Sequence, residues 1–169
     1  MTRQIGLIGY PLAHSISPAF QQAALDYYSL PFRYRALPTP PDRLSDEVNG
    51  LRDGKLVGAN VTIPHKERVV PLLDGLDPWA IRVGAVNTIV KGRIGLVGHN
   101  TDTYGFIRSL REVGGLDPRG RSALLLGAGG AARAAAFGLA DEGLASLTIA
   151  NRTQERALAL ADVSTTTKQ

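Results

Sequence analysis

Cysteine is absent from the 169 residues, which excludes disulfide stapling and thiolate metal sites. Histidine is scarce, and His14, His65 and His99 show no metal-ligand spacing. Runs of like charge are also missing: 19 Lys and Arg stand against 15 Asp and Glu, a formal charge of +4, and the basic residues are scattered among the acidic ones. That distribution leaves no electrostatic footprint for nucleic acid. The longest apolar stretch, Ala123 to Ala140, is rich in glycine and carries Arg133, so no membrane span is expected. The opening residues MTRQIGLIGYPLAHS carry one early arginine, and Gly6, Gly9 and Pro11 break their apolar run, unlike a secretory signal. Together these absences fit a cytoplasmic setting best.

With 44% hydrophobic residues the chain is long enough for one ordinary core and short for two comfortable domains. The coarse order is strand, helix, strand, helix, strand, helix, which argues for an α/β fold with a largely parallel sheet covered by helices. Gln4 to Gly9 reads as a buried strand running into the turn signal Tyr10-Pro11 and then into HSISP. Pro18 sits where a first helical residue belongs, with Ser17 as its N-cap and the helix running to about Ser29. Ser15 has no such structural duty in this reading, and the two hydroxyls together could hold a small anion or a hydroxyl group. Phe32 to Leu37 alternates as a second strand, and a polar helix is expected from about Asp42 to Leu51.

The stretch Gly58 to Lys66, GANVTIPHK, stands out. Within an expected strand from Lys55 to Ile63, Asn60 and Thr62 point to one face and Val61 and Ile63 to the other. Pro64 ends the strand and leaves His65 and Lys66 at its C-terminal edge, where open α/β sheets place ligand crevices. A half-buried strand with a solvated lysine is the plainer alternative. A short helix is expected over Glu67 to Leu73. In Gly84 to Val90, GAVNTIV, Asn87 sits inside an otherwise apolar strand and needs a partner, since an unpaired buried amide costs roughly 1–3 kcal/mol. GRIGLVGHN adds a strand or hairpin, and Asn100, Thr101 and Asp102 precede a helix beginning near Tyr104. Asp102 reads either as that helix's N-cap or as a proton-exchanging carboxylate working with a lysine.

From Arg121 the composition changes. RSALLLGAGGAARAAAFGLADEG joins a short apolar strand to a glycine cluster and an alanine-rich helix, placing Gly127, Gly129 and Ala132 at the three positions of a dinucleotide fingerprint. The next strand, SLTIANRT, ends in Asn151, Arg152 and Thr153 where an acidic residue would hold the ribose of NAD. A guanidinium there suits the extra phosphate of NADP. A solvated arginine and a helix-capping threonine are the plainer alternatives.

GYPLAHSISP, GANVTIPHK, GAVNTIV, GHNTDTYGF, LLLGAGGAARA and IANRT, taken in order, resemble the motifs of the shikimate dehydrogenase family from about Ile5 to Ala161. The resemblance implies a mainly parallel-sheet substrate domain over residues 1–101, followed by part of a Rossmann NADP-binding domain over 102–169. It also implies reversible, NADP-dependent reduction of 3-dehydroshikimate to shikimate, a step of chorismate and aromatic amino acid biosynthesis. By the same resemblance Ser15 and Ser17 hold the substrate carboxylate, while Asn60, Thr62, Asn87 and Asp102 meet the ring hydroxyls. Lys66 and Asp102 form the catalytic pair. Gly127, Ala128, Gly129, Gly130, Ala131 and Ala132 cradle the pyrophosphate, and Asn151, Arg152 and Thr153 surround the adenosine ribose and its 2′-phosphate. The small-molecule substrate is the expected partner, with no nucleic acid, membrane or metal, and the resemblance leaves room for a homodimer. Members of the family continue beyond the point where VSTTTKQ ends. A truncated, non-catalytic shikimate-binding fragment is therefore the alternative expectation.

Overall fold

The computed structural model describes residues 3–54 and 56–165; Lys55, the expected start of the third strand, lies outside them. Two compact units emerge, one comprising the residues up to Ile81 with Ala85–His99, the other Arg82–Gly84 with the residues from Asn100 onward.

The first unit is built on a six-stranded sheet in the order β2-β1-β3-β5-β6-β4. β1 (Arg3–Gly9) is apolar, and it pairs in parallel with β2 (Phe32–Pro38) on one side and β3 (Leu56–Val61) on the other. A strand covered on both faces reads as a continuous apolar run, which is why QIGLIG shows so little alternation. β5 (Thr88–Gly92) and β6 (Gly95–His99) form an antiparallel hairpin beside β3, and the short β4 (Gly75–Leu76) returns the edge to parallel pairing. Between β1 and β2 lies α1 (Ser17–Tyr27), and between β2 and β3 lies α2 (Leu44–Arg52).

Leu44, Val48 and Leu51 recur at helical spacing along α2 and are its buried residues. They join Ile8, Leu56, Val61, Ile89 and Leu96 in the main core cluster. Each such burial contributes about 1.5–3 kcal/mol. On the opposite face of β1, Leu7, Leu12 and Tyr34 are buried together, with Ile5 and Leu25 packed against them. The expected helix over Glu67 to Leu73 is reduced to a single 3-10 turn at Val70–Leu72. Pro71 lacks an N–H and disfavours helical geometry in the residue before it, so a longer helix cannot propagate there. α3 (Pro78–Val83) ends the run before β5.

The second unit contains α4 (Asp102–Glu112), β7 (Ser122–Leu126), α5 (Gly130–Asp141), β8 (Ser146–Ala150) and α6 (Gln154–Thr165). β7 and β8 pair in parallel, Ser122 opposite Ser146 through Leu126 opposite Ala150. Ile107 of α4, Leu139 of α5 and the following Leu144 form a buried cluster, backed by Leu110, Ala123 and Leu147. The other face of β7 is open: Leu124 is 64% exposed and Leu126 76%.

Candidate functional site

In the first unit, backbone hydrogen bonds stitch together the C-terminal ends of the three parallel strands. Thr62 N–H donates to the Ile8 carbonyl at 2.9 Å, Tyr10 N–H to Ile63 at 2.9 Å, and Thr39 N–H to Gly9 at 2.9 Å. Gly9 makes this approach feasible, because a Cβ there would collide with the Thr62 methyl and come within 3.1 Å of the Ile63 carbonyl oxygen. Three connecting segments therefore share one edge, with Ser15 and, at the start of α1, Ser17 on the first, Thr39 on the second, and Thr62 to Lys66 on the third. β5 runs antiparallel to β3, so its N-terminal end, where Asn87 lies, falls at the same edge.

β3 closes at Val61, one residue before Thr62. Ile63 consequently leaves the sheet and is 74% exposed instead of sharing the buried face of Val61. His65 is fully buried, and its Nε2 lies 2.6 Å from the Thr39 carbonyl oxygen, tying the third loop to the second. A carbonyl only accepts, so the imidazole carries its proton on Nε2. Lys66 follows as a half-buried residue whose carbonyl accepts from Val86 N–H at 2.8 Å. That bond fixes the lysine's main chain against the segment bearing Asn87.

Asn87 precedes β5 and is not inside it. Its N–H donates to the His99 carbonyl at 3.0 Å and its carbonyl accepts from Val61 N–H at 2.8 Å. Asn60 stands directly opposite Thr88; its Nδ2 donates to Thr88 Oγ1 at 3.1 Å and to the Asn87 carbonyl at 3.3 Å, and its Oδ1 accepts from the Tyr34 hydroxyl at 2.8 Å. Burial pushes the Tyr34 phenol up to about 12, so it is a protonated donor at ordinary pH. Asn60, Thr88 and Asn87 are thus joined in one polar cluster at this edge of the sheet.

Both expected helix caps are displaced by two residues. Ile16 already has helical dihedrals and its carbonyl receives Ala19 N–H at 3.1 Å and Phe20 N–H at 3.2 Å, which puts Ser17 inside the first turn and not at the cap. Ser15, read from sequence as having no structural duty, has one: its Oγ accepts from Ser17 N–H at 3.4 Å. In the second unit Asp102 is likewise the first residue of α4, and capping falls to Asn100. The Asn100 Oδ1 accepts from Asp102 N–H at 3.1 Å, Thr103 N–H at 3.3 Å and Thr103 Oγ1 at 3.4 Å. Asn100 is 2% exposed and Thr103 1%.

The glycine cluster lies between β7 and α5 in the second unit. Gly127 has φ +115°, a region that L side chains rarely adopt, and its N–H donates to the Ala150 carbonyl at 2.8 Å. Gly129 is extended at the N-cap of α5, and no side chain caps that helix. Uncapped amides at a helix start, reached through glycines without Cβ atoms, fit a phosphate group. Ala128 is buried, Gly130 and Ala132 are half-buried and Ala131 is exposed. Beyond β8, Asn151 Nδ2 donates to the Thr153 carbonyl at 2.8 Å and Thr153 directly precedes α6. Arg152 is exposed, and among the described residues no carboxylate pairs with it. Arg133, one turn into α5, donates from Nε to the Val83 carbonyl at 2.6 Å.

Tyr34, Thr88 and Asn100 went unrecognised in the sequence. Period-2 alternation puts Tyr34 on an inward face, and the Asn-x-Asp-Thr order marks Asn100 as a rival cap. No local pattern tells which amide a strand-borne hydroxyl will meet.

Two family models match the chain: the shikimate dehydrogenase substrate-binding domain over residues 7–89 and the shikimate/quinate 5-dehydrogenase domain over residues 111–169. The chain is 51% identical over 161 residues to the NADP(+)-dependent shikimate dehydrogenase of Methanopyrus kandleri, covering 95% of itself and 56% of that protein. A shikimate dehydrogenase crystallised with NADP+ superposes with a TM-score of 0.90 at 41% identity, over 98% of this chain and 56% of the other. The Thermus thermophilus shikimate 5-dehydrogenase, solved with NADP(H) and shikimate, gives a TM-score of 0.86 at 41% identity, over 96% and 61%. The chain thus spans about half the length of the curated relatives it matches.

Proposed function

The chain belongs to the shikimate dehydrogenase family, and we propose that it takes part in the NADP-dependent interconversion of 3-dehydroshikimate and shikimate. In this reading residues 1–101 bind the substrate and residues 102–169 hold the cofactor. A cytoplasmic, biosynthetic setting and a homodimer belong to the same reading. The observation that carries it is the sheet edge bearing Ser15, Ser17, Asn60, Thr62, Lys66 and Asn87, fixed by the backbone bonds of three adjoining loops.

Each residue has a defined chemical task. Ser15 and Ser17 offer hydroxyls to the carboxylate of shikimate, and the helix start beside them favours negative charge. Asn60, Thr62 and Asn87 offer donors and acceptors to the ring hydroxyls. Lys66 donates a proton to the carbonyl oxygen of 3-dehydroshikimate as it becomes an alkoxide, and in the reverse direction takes the hydroxyl proton back, with Asp102 as its partner in that proton exchange. NADP(H) supplies or accepts the hydride when bound. Residues Gly127 to Ala132 would hold its pyrophosphate at the uncapped start of α5, and Asn151, Arg152 and Thr153 its adenosine end.

Lys66→Ala tests the assignment. A proton-exchanging group acts mainly in the transition state, so turnover, followed as reduced nicotinamide appearing with shikimate and NADP, should fall by orders of magnitude while shikimate affinity stays within about tenfold. Equal losses in affinity and turnover would make Lys66 a positioning residue only. A second reading, in which the chain binds shikimate without turning it over, is favoured by the two-stranded sheet behind the glycine loop and the open face of Leu124 and Leu126. Shikimate binding by calorimetry with no reduced nicotinamide formed would select it. No shikimate binding at all would overturn both.

A further inference from the structure

We propose that Tyr34 and Thr88 are positioning residues, which set the amide orientations of Asn60 and Asn87 through one directed hydrogen-bond relay and so decide which ends of those amides a substrate meets. The inference rests on the substrate reading above for its functional consequence, and on geometry alone for the relay.

The relay is anchored by a group that can only accept. Asn60 Nδ2 lies 3.3 Å from the Asn87 main-chain carbonyl; turning the amide over would bring two acceptor oxygens face to face. Asn60 must therefore keep its Oδ1 toward Tyr34, whose hydroxyl donates to it at 2.8 Å. The second Nδ2 proton goes to Thr88 Oγ1 at 3.1 Å, and the Thr88 hydroxyl donates onward to Asn87 Oδ1 at 3.1 Å. Among the described residues that oxygen is the acceptor of the Thr88 proton, so turning Asn87 over would leave the proton unpaired. Each donor is polarised by the bond it accepts, as in other hydrogen-bonded chains.

The tyrosine is well placed to start such a relay. Register puts Tyr34 beside Ile5, and Leu7 beside Asn60, so the phenol crosses over β1 to reach β3. Its ring is buried with Leu7 and Leu12, and its main-chain N–H donates to Gln22 Oε1 at 2.8 Å. Anchored at both ends, the side chain has little freedom to follow a rotating amide. The consequence is a division of roles: both Asn60 amide protons are committed, leaving one Oδ1 lone pair for a substrate hydroxyl, whereas Asn87 commits its oxygen to Thr88 and turns its donor end elsewhere.

Three variants test this: Thr88→Val, which keeps the shape and removes the hydroxyl; Thr88→Ser, which restores it; and Tyr34→Phe. In the whole chain, the side-chain amide resonances of Asn60 and Asn87 report the relay without any ligand. We expect Thr88→Val to speed exchange of the Asn60 amide protons by about tenfold or more, the loss of roughly one hydrogen bond, and to shift the Asn87 resonances. Thr88→Ser should restore both to within about threefold of the parent, and Tyr34→Phe should move Asn60 more than Asn87. Shikimate affinity, measured calorimetrically, should fall about tenfold in Thr88→Val and recover in Thr88→Ser. Unchanged side-chain amides in Thr88→Val, or a serine variant as impaired as the valine one, would overturn the relay. If Thr88→Val loses backbone protection in β3 and β5, the serine and phenylalanine variants decide by the same criteria. A parent chain that binds no shikimate would remove the functional reading while the amide exchange still decides the relay.

Discussion

Asn100 and Asp102 invite a comparison that separates capping from chemistry. Asn100→Ala removes an Oδ1 that accepts from two main-chain N–H groups and the Thr103 hydroxyl. Loss of a helix cap costs about 0.5–2 kcal/mol. The Thr103 hydroxyl, 1% exposed, would lose this acceptor as well, at about 1–3 kcal/mol for a buried unsatisfied donor. A total of about 1.5–5 kcal/mol is expected at the start of α4. Asp102→Asn removes a negative charge from the first turn, worth about 0.3–1 kcal/mol against the helix dipole. Hydrogen exchange of the α4 amides measures both locally, without assuming that two units unfold together. Asn100→Ala should speed exchange by about tenfold or more, and Asp102→Asn by about fivefold at most. In turnover the order should reverse, with Asp102→Asn the more damaging. Equal or greater loss of α4 protection in Asp102→Asn would return the capping role to the aspartate and refute the assignment.

Three further outcomes are expected. Arg152→Leu should weaken NADP by about 1.5–3 kcal/mol, the value of a hydrogen bond to a charged group, with little effect on NAD; similar weakening of both in a binding titration would remove Arg152 from the 2′-phosphate. Hydrogen exchange should find β1 and β3 well protected and β7 and β8 exchanging much faster, because a two-stranded sheet is marginal and one face of β7 is open; uniform protection would contradict this. The Tyr34 phenol, pushed up to about 12 by burial, keeps its proton where an unfolded chain has lost it near pH 10, so its contribution is complete below pH ~10 and is lost as pH rises from there toward 12. A spectrophotometric titration should accordingly show a late phenolate phase that is missing in Tyr34→Phe, and a titration curve unchanged by that substitution at high pH would refute it.

The parts of the fold legible in the sequence are those set by period and punctuation. β1, β2 and α2 follow from apolar spacing, and the β7–glycine–α5 junction follows from the fingerprint glycines, where Gly127 adopts its positive φ. Less legible were the elements whose extent depends on a single backbone group. Pro71 limited an expected helix to one 3-10 turn, and β3 ends at Val61, with Thr62 N–H making a last bond to the Ile8 carbonyl before Pro64, which has no N–H to offer the ladder. Asn87 was drawn into a strand by its apolar neighbours, yet its main chain bonds His99 and Val61 while the strand begins at Thr88. Such partners are distant in sequence, so no local window contains them.

The two displaced caps follow one physical logic. A residue at a helix start can offer its side chain to the first amides only if its own backbone is still outside the helix. At α1 the helical dihedrals already begin at Ile16, and at α4 they already include Thr101. Ser17 and Asp102 are thereby carried into the first turn. The side chains two residues upstream, Ser15 and Asn100, are the ones that accept from the exposed amides. Polar residues clustered before a helix are therefore not interchangeable: the upstream member secures the backbone, and the next one is held at a fixed angle by a turn it does not itself have to cap.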